Sequence, residues 1–123
     1  KELCENAAVR KLSFTGSTRV GQLLMGQCSG TLKKLSMELG GNAPFIVFAD
    51  ADVDKAVEGA AACKFRGAGQ TCICANRIFV HAKIYDEFAA KFAKKVDSFV
   101  VGNGLDEGVQ VGPLVNQAGH DKV

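Results

Sequence analysis

A cysteine in a short, uncharged, glycine-rich loop is the strongest chemical signal in this sequence. Cys72 follows the run Phe65-Arg66-Gly67-Ala68-Gly69-Gln70-Thr71, directly after a segment with a helical pattern. The small residues let a substrate approach the backbone closely, and they leave amide N–H groups free to bind an anionic oxygen. Glu38 lies upstream in Met37-Glu38-Leu39-Gly40-Gly41, and no histidine lies near the cysteine. A thiol with a separate carboxylate predicts covalent catalysis, with Cys72 as nucleophile and Glu38 as base.

A second candidate site is the turn Thr15-Gly16-Ser17-Thr18, which follows a short alternating strand and opens a helix. A strand, a tight turn and a helix N-terminus can bind phosphate because unpaired N–H groups point outward there. Two better-known phosphate loops are excluded, since Gln22 stands where a Walker loop has lysine and no Gly-x-Gly-x-x-Gly motif occurs. From the pattern alone, cofactor binding and an ordinary β-turn-α corner both stay open.

Three motifs taken together resemble the aldehyde dehydrogenase superfamily. They are, in chain order, Phe14-Thr15-Gly16-Ser17, Glu38-Leu39-Gly40-Gly41 and Gly69-Gln70-Thr71-Cys72. Lys64-Phe65-Arg66 before the loop and Cys74 after it are similar to the succinate-semialdehyde dehydrogenase branch, although that branch usually has asparagine where this chain has Gly67. The resemblance covers the whole chain, and family members are much longer. We therefore expect an internal fragment that is inactive and poorly folded alone.

The resemblance implies oxidation of an aldehyde, succinate semialdehyde in that branch, with NAD or NADP as cofactor and a place in gamma-aminobutyrate catabolism. Cys72 would form a thiohemiacetal and then a thioester, and Glu38 would take up the proton when water attacks that thioester. The residues that decide between NAD and NADP lie outside this chain in family members. A homo-oligomer, dimer or tetramer, in the cytoplasm or the mitochondrial matrix is also implied. The implied cofactor contacts are Thr15, Gly16, Ser17 and Leu39.

Two residues beside Cys72 have predicted roles of their own. Arg66 presents a fixed fork of donors matched to a carboxylate, so we predict that it binds the far end of a semialdehyde. The alternative is that Arg66 only caps its helix, where positive charge is favoured. Cys74 is predicted to form a reversible disulfide with Cys72 that turns the enzyme off under oxidation. The alternative for Cys74 is a small buried residue.

The remaining pattern predicts an α/β fold that positions these residues. Strands are expected at 10–14, 33–39, 45–48 and 77–81, and the apolar run at 45–48 indicates burial on both faces. Helices are expected after Asp52, where small residues form one stripe, from Ile84 to Gly102 with an aromatic stripe, and from Asn116. With the resemblance, this is a parallel-sheet fragment of the aldehyde dehydrogenase fold. Residues 1–40 would end a Rossmann-type NAD(P)-binding domain, and residues 41–123 would begin the catalytic domain.

Composition narrows the classes of function. The chain has 123 residues, 47% of them apolar, and a net charge of +2 with lysines interspersed among acids. This indicates solvated helix faces rather than a nucleic-acid surface, and no apolar run has the length of a membrane span. Five cysteines without framework spacing favour free thiols in a reducing compartment. No metal site is predicted at Cys63, Cys72 and Cys74, because Cys-x-Cys differs from the zinc pattern Cys-x-x-Cys and no histidine lies nearby.

Three other interpretations stay open. The chain could belong to an aldehyde dehydrogenase branch with a different substrate, which Arg66 disfavours. It could be a non-catalytic member of the family, although such a protein need not retain both Cys72 and Glu38. It could also be a thiol redox module built on Cys72-x-Cys74.

Overall fold

The computed structural model describes residues 1–123, and the chain divides into two compact units, residues 1–41 and 42–123. Each unit contains one pair of parallel strands and helices that flank it in sequence, which confirms the predicted α/β class. The assignment of the units to a cofactor-binding and a catalytic domain stays a prediction. None of the helices combines the length and the apolar character that crossing a bilayer requires.

The first unit is built around strands that end at a common edge. Its elements are α1 (Glu2–Glu5), β1 (Lys11–Thr15), α2 (Thr18–Cys28) and β2 (Lys34–Glu38). The strands are parallel, and their register places Lys11 opposite Lys34 and Thr15 opposite Glu38. Because parallel strands point the same way, the predicted turn and the predicted base lie at the same edge of the sheet.

Two buried cysteines and a buried lysine stabilise the part of this unit opposite the turn. Cys4 of α1 and Cys28 of α2 are each 1% exposed. Burial raises the pKa of the Cys28 thiol, and a hydrogen bond with Cys4 raises it further. The buried Lys33 ammonium donates to the carbonyl oxygens of Asn6, at 2.7 Å, and Val9, at 2.8 Å. These bonds offset the cost of burying a charge, and they attach the segment after α1 to the start of β2.

The second unit alternates strands and helices. Its elements are β3 (Ala43–Val47), α3 (Val53–Phe65), β4 (Ala75–Val80), α4 (Tyr85–Asp97) and α5 (Gln117–Lys122). Asp52 caps α3 by accepting from the Lys55 amide at 3.1 Å, and Asn116 caps α5 by accepting from the Gly119 amide at 2.9 Å. Both caps confirm the predicted helix starts.

The end predicted for α4 at Gly102 is wrong. The helix stops at Asp97, and the Ser98 hydroxyl donates to the Lys95 carbonyl at 2.7 Å. This local side-chain bond competes with continued helix, a known property of serine. The chain beyond it turns extended, and Val101 forms a bridge with Val111.

The core of the second unit lies between the strand pair and the two long helices. Its fully buried members are Val47, Val57, Ala60 and Phe88. Phe45 and Val80 of the strands and Phe92 of α4 pack against them. The small residues of α3 and the aromatic residues of α4 therefore form the predicted packing stripes, which are confirmed.

The prediction that the strand at 45–48 is buried on both faces is wrong for this unit. Val47 is 3% exposed, whereas Ile46 is 58% and Phe48 is 68% exposed. Helices α3 and α4 both pack on the face that carries Phe45 and Val47, and no element of the unit covers the other face. Phe79 of β4 is opposite Ile46 in the register and is also exposed, at 53%.

Candidate active site

The cysteine loop, residues 66–74, has an unusual backbone path. Gly67, Ala68 and Gly69 have positive φ angles of 58°, 57° and 75°. At Gly69 an added Cβ would lie 3.1 Å from the Lys64 carbonyl oxygen, a tight contact with backbone that adds to the strain of a positive φ in any other residue. Ala68 has a Cβ and adopts the left-handed region nonetheless, at a cost of about 1–2 kcal/mol. Gly67, the departure from the resembled branch, is explained because a positive φ suits glycine and asparagine alike.

Gln70 holds this loop in place through both polar atoms of its side-chain amide. Its backbone amide and its Nε2 each donate to the Gly67 carbonyl at 3.1 Å. Its Oε1 accepts from the Val115 amide at 2.8 Å, and Nε2 also approaches the Pro113 carbonyl at 3.5 Å. The side chain thus closes the turn and attaches it to the segment that precedes α5.

Cys72 is the exposed thiol of this loop. Its backbone N–H makes no hydrogen bond within the unit, although the Cys74 amide beside it donates to the Thr71 carbonyl at 3.2 Å. The buried Thr71 hydroxyl also has no partner. An accessible sulfur with a free amide on the same residue matches what addition to a carbonyl requires, namely a nucleophile and a donor for the resulting oxyanion.

Cys74 occupies a different environment. It is fully buried, and its sulfur contacts the Lys64 carbonyl at 3.4 Å and the Asn76 side-chain oxygen at 3.7 Å. Lys64 Nζ donates to the same Asn76 oxygen at 2.8 Å. This environment agrees with the alternative interpretation, in which Cys74 is a small buried residue. A disulfide with Cys72 would require the Cys74 sulfur to leave these contacts. The switch therefore stays a prediction. No group of three or more histidine, cysteine or acidic side chains is gathered as a metal site would need.

Arg66 ends α3 and begins the loop. Its exposed guanidinium makes no hydrogen bond or ion pair within the unit, so no specific bond to a helix carbonyl supports the role of cap. The residue lines a cleft of about 160 Å³ together with Phe65, Phe99 and Gln110. An unpaired guanidinium is available for an anionic ligand, and its role stays a prediction.

In the first unit, the turn and the end of β2 form one group of residues. The Gly16 amide donates to the Glu38 carbonyl at 3.0 Å, and the Ser17 hydroxyl accepts from the Val20 amide at 3.3 Å. Leu39 packs on α2 at Gly21, where an added Cβ would lie 2.8 Å from a Leu39 methyl. The five residues predicted from sequence in this unit are therefore neighbours: Thr15, Gly16, Ser17, Glu38 and Leu39.

The first turn of α2, beside these residues, has free donors that suit the phosphates of a dinucleotide. The amides of Thr18 and Arg19, in the first turn of α2, make no hydrogen bond within the unit. Unpaired N–H groups at the positive end of a helix dipole bind phosphate oxygens. The Glu38 carboxylate is exposed and makes no hydrogen bond or ion pair in its unit.

The predicted site residues thus form two groups, one in each unit. Arg66, Cys72 and Cys74 lie on one loop of the second unit, and the pairing of Cys72 with Glu38 of the first unit stays a prediction. Gln70 was identified from the sequence only as part of a motif, and its structural role was not predicted. Its partners lie far along the chain, and no local pattern could have identified them.

Comparison with known proteins identifies the group to which this chain belongs. The model of the aldehyde dehydrogenase family matches residues 1–123. Succinate-semialdehyde dehydrogenase [NADP(+)] of Saccharomyces cerevisiae is 59% identical over 123 residues, which are 100% of this chain and 25% of that protein. The 3-sulfolactaldehyde dehydrogenase of Pseudomonas putida is 61% identical over 115 residues, 94% of this chain and 24% of that protein.

The fold agrees with these matches. The crystal structure of succinate-semialdehyde dehydrogenase from Burkholderia pseudomallei superposes with a TM-score of 0.95 at 60% identity, covering 98% of this chain and 25% of that chain. The chain spans about a quarter of the length of the curated relatives that it matches. The predicted aldehyde dehydrogenase fold is confirmed, and this chain belongs to the aldehyde dehydrogenase family.

Proposed function

We propose that this chain is the part of an NAD- or NADP-dependent aldehyde dehydrogenase that carries the nucleophile Cys72 and the base Glu38. The observation that carries the proposal is the exposed Cys72 thiol with a free backbone amide, in a loop of left-handed residues. The family membership supplies the reaction class. Because the chain spans a quarter of its relatives, the activity belongs to the full-length protein and not to these residues alone.

Cys72 performs the first step. Its thiolate adds to the aldehyde carbon, and the carbonyl oxygen becomes an oxyanion that the Cys72 amide binds. Loss of hydride from this tetrahedral carbon leaves a thioester on the Cys72 sulfur. A nicotinamide cofactor, when bound, supplies the acceptor for that hydride.

Glu38 performs the second step. Its carboxylate takes a proton from water, and the resulting hydroxide attacks the thioester carbon, which breaks the carbon–sulfur bond, releases the acid and restores the Cys72 thiolate. The exposed, unpaired carboxylate is suited to this task because no ion pair holds it in one position. In the same unit, the amides of Thr18 and Arg19 would hold cofactor phosphates beside Gly16 and Ser17.

The substrate we favour is an aldehyde with an anionic group at its far end, and succinate semialdehyde first of all. One relative is named for a substrate with a carboxylate and another for a substrate with a sulfonate, at 59% and 61% identity. Overall sequence identity therefore does not distinguish a carboxylate from a sulfonate as the anionic group. The unpaired Arg66 guanidinium supports the feature that they share, because its donors bind either group.

The nucleophile is tested in the full-length protein with Cys72→Ala, Glu38→Gln and the control Cys63→Ala. Cys72→Ala should abolish aldehyde-dependent formation of reduced cofactor and leave cofactor affinity nearly unchanged. Glu38→Gln should retain a burst of reduced cofactor and then stall, since deacylation is slowed. The control removes another thiol of the same unit and should keep wild-type turnover. Turnover of Cys72→Ala at the wild-type rate would refute the proposal.

The substrate class is tested with Arg66→Ala on two aldehydes. A charge-assisted bond contributes roughly 1.5–3 kcal/mol, so kcat/KM for succinate semialdehyde should fall about 10-fold or more. The loss for uncharged butanal should be slight. Equal losses on both aldehydes would leave Arg66 with a helix-capping role only. A wild-type enzyme that prefers butanal would favour the second candidate, an aldehyde dehydrogenase for uncharged substrates.

A further inference from the structure

The cysteine loop has little apolar packing to hold it in place. Gly67, Ala68 and Gly69 offer almost no side-chain surface, and Cys72 is exposed. Ala68 also adopts a left-handed conformation, which is unfavourable for a residue with a Cβ unless its surroundings support it. Cys74 is buried at the end of the loop, but it follows Cys72, so something other than packing must hold the segment that leads to the sulfur.

Gln70 supplies that support through its side-chain amide. Its donor closes the turn on the Gly67 carbonyl, and its acceptor holds the Val115 amide at 2.8 Å. No other side chain links residues 66–72 to the segment that precedes α5 by a hydrogen bond. The link spans 45 positions of sequence, so it fixes the loop relative to a separate part of the unit.

We propose that Gln70 is a positioning residue for Cys72, which acts by tying the cysteine loop to the Pro113–Val115 segment. The proposal rests on the proposed function, in which Cys72 is the nucleophile. A nucleophilic thiol must be positioned relative to the reacting carbon with a precision of a fraction of an ångström. Misplacement by about 1 Å can cost on the order of 100-fold in rate. Gln70 never touches the substrate in this role, because it works through the backbone that carries the sulfur.

The chain offers a matched control. Asn103 also uses its side-chain oxygen to accept from a backbone amide, that of Leu105, at 3.1 Å. It lies in the same unit and is not bonded to the cysteine loop. Gln70→Ala and Asn103→Ala therefore remove bonds of the same kind, and only the first should affect the thiol.

The experiment measures three quantities in the full-length enzyme: the pre-steady-state burst of reduced cofactor, steady-state KM, and hydrogen exchange of the Val115 amide. In Gln70→Ala the burst rate should fall about 10- to 100-fold for succinate semialdehyde and butanal alike. KM should change less than about threefold, and the Val115 amide should exchange faster. Asn103→Ala should keep the wild-type burst rate even if its thermal midpoint falls by the same amount.

A second variant covers the case in which Gln70→Ala does not fold. Gln70→Glu keeps the acceptor for Val115 and turns the donor toward Gly67 into an acceptor, so the Val115 amide should stay protected while the burst slows. A wild-type burst rate in whichever Gln70 variant folds would overturn the positioning role. Turnover in Cys72→Ala would instead overturn the proposed function, so the two failures are distinct.

Discussion

Two regions of the second unit, the α3–α4 layer and the cysteine loop, are held in place by different interactions. The layer is fixed by apolar packing, with Val57, Ala60 and Phe88 buried against the strands. The loop is fixed by its backbone path and by the bonds of Gln70. Packing tolerates substitutions that keep volume, whereas a hydrogen-bonded turn with positive φ angles depends on particular atoms.

This difference separates stability from chemistry. The layer also carries ion pairs across its surface, in which Lys91 of α4 contacts Asp54 of α3 at 2.7 Å and Lys95 contacts Glu58 at 2.8 Å. No residue of the layer is a proposed catalytic group. The loop has little packing and bears the nucleophile. We therefore expect substitutions in the layer to change stability first and substitutions in the loop to change rate first.

The largest expected effect on stability is that of Phe88→Ala in the layer. Removing a phenylalanine from a packed core costs about 3–5 kcal/mol. The free energy of opening of α4, measured by native-state hydrogen exchange in the full-length protein, should fall by that order. Lys94→Ala, at an exposed position of the same helix, should change it by less than about 0.5 kcal/mol. Unchanged α4 protection in Phe88→Ala would mean that the layer is not the stabilising region.

A smaller effect is expected in the loop from substitutions at Gly67, whose φ is 58°. Gly67→Ala should lower the thermal midpoint of the full-length enzyme, since a left-handed residue with a Cβ costs about 1–2 kcal/mol. Gly67→Asn should cost less, because asparagine tolerates this region. The reverse change, Ala68→Gly, should relieve strain at φ 57°. If Gly67→Ala were as stable as wild type, the left-handed path would be wrong.

The same division explains what the sequence could predict. Helices α3 and α4 follow from caps and apolar periodicity, so Asp52 and the spacing of Phe88 and Phe92 were sufficient. The early end of α4 depended on one serine hydroxyl, which a helical pattern does not reveal. The wrong burial of the strand at 45–48 came from inferring two covered faces from an apolar run, whereas this unit covers only one.

The candidate site was predicted as a set of residues rather than as a geometry. The motifs identified Cys72, Arg66 and the turn at Gly16, and the parallel register explains why the turn lies beside Glu38. The role of Gln70 could not be predicted, because its partners are distant in sequence. The burial of Cys74 depends on contacts with Lys64 and Asn76 on two elements, which spacing alone does not fix.

The smallest effect is expected at the start of α3, where a charge and a cap can be separated. The amide of Lys55 donates to the Asp52 carboxylate and holds its pKa below its ordinary value of 3.8, and contacts with the Lys55 side chain lower the pKa further. A depressed pKa means that the folded state binds this proton less readily than the unfolded state does. The resulting stabilisation is present above the ordinary value and is lost as pH falls through the folded pKa.

Asp52→Asn separates the two contributions because asparagine caps a helix as well as aspartate does and does not titrate. Near pH 7 the variant should have a somewhat lower thermal midpoint than wild type, because it keeps the cap but lacks the charge contribution. Between about pH 5 and pH 3 the wild-type midpoint should fall more steeply than that of the variant, and the two curves should converge. Asp52→Ala should lie below both near neutral pH, because it removes the cap itself. Parallel curves for wild type and Asp52→Asn over this window would show that the carboxylate charge does not stabilise the layer.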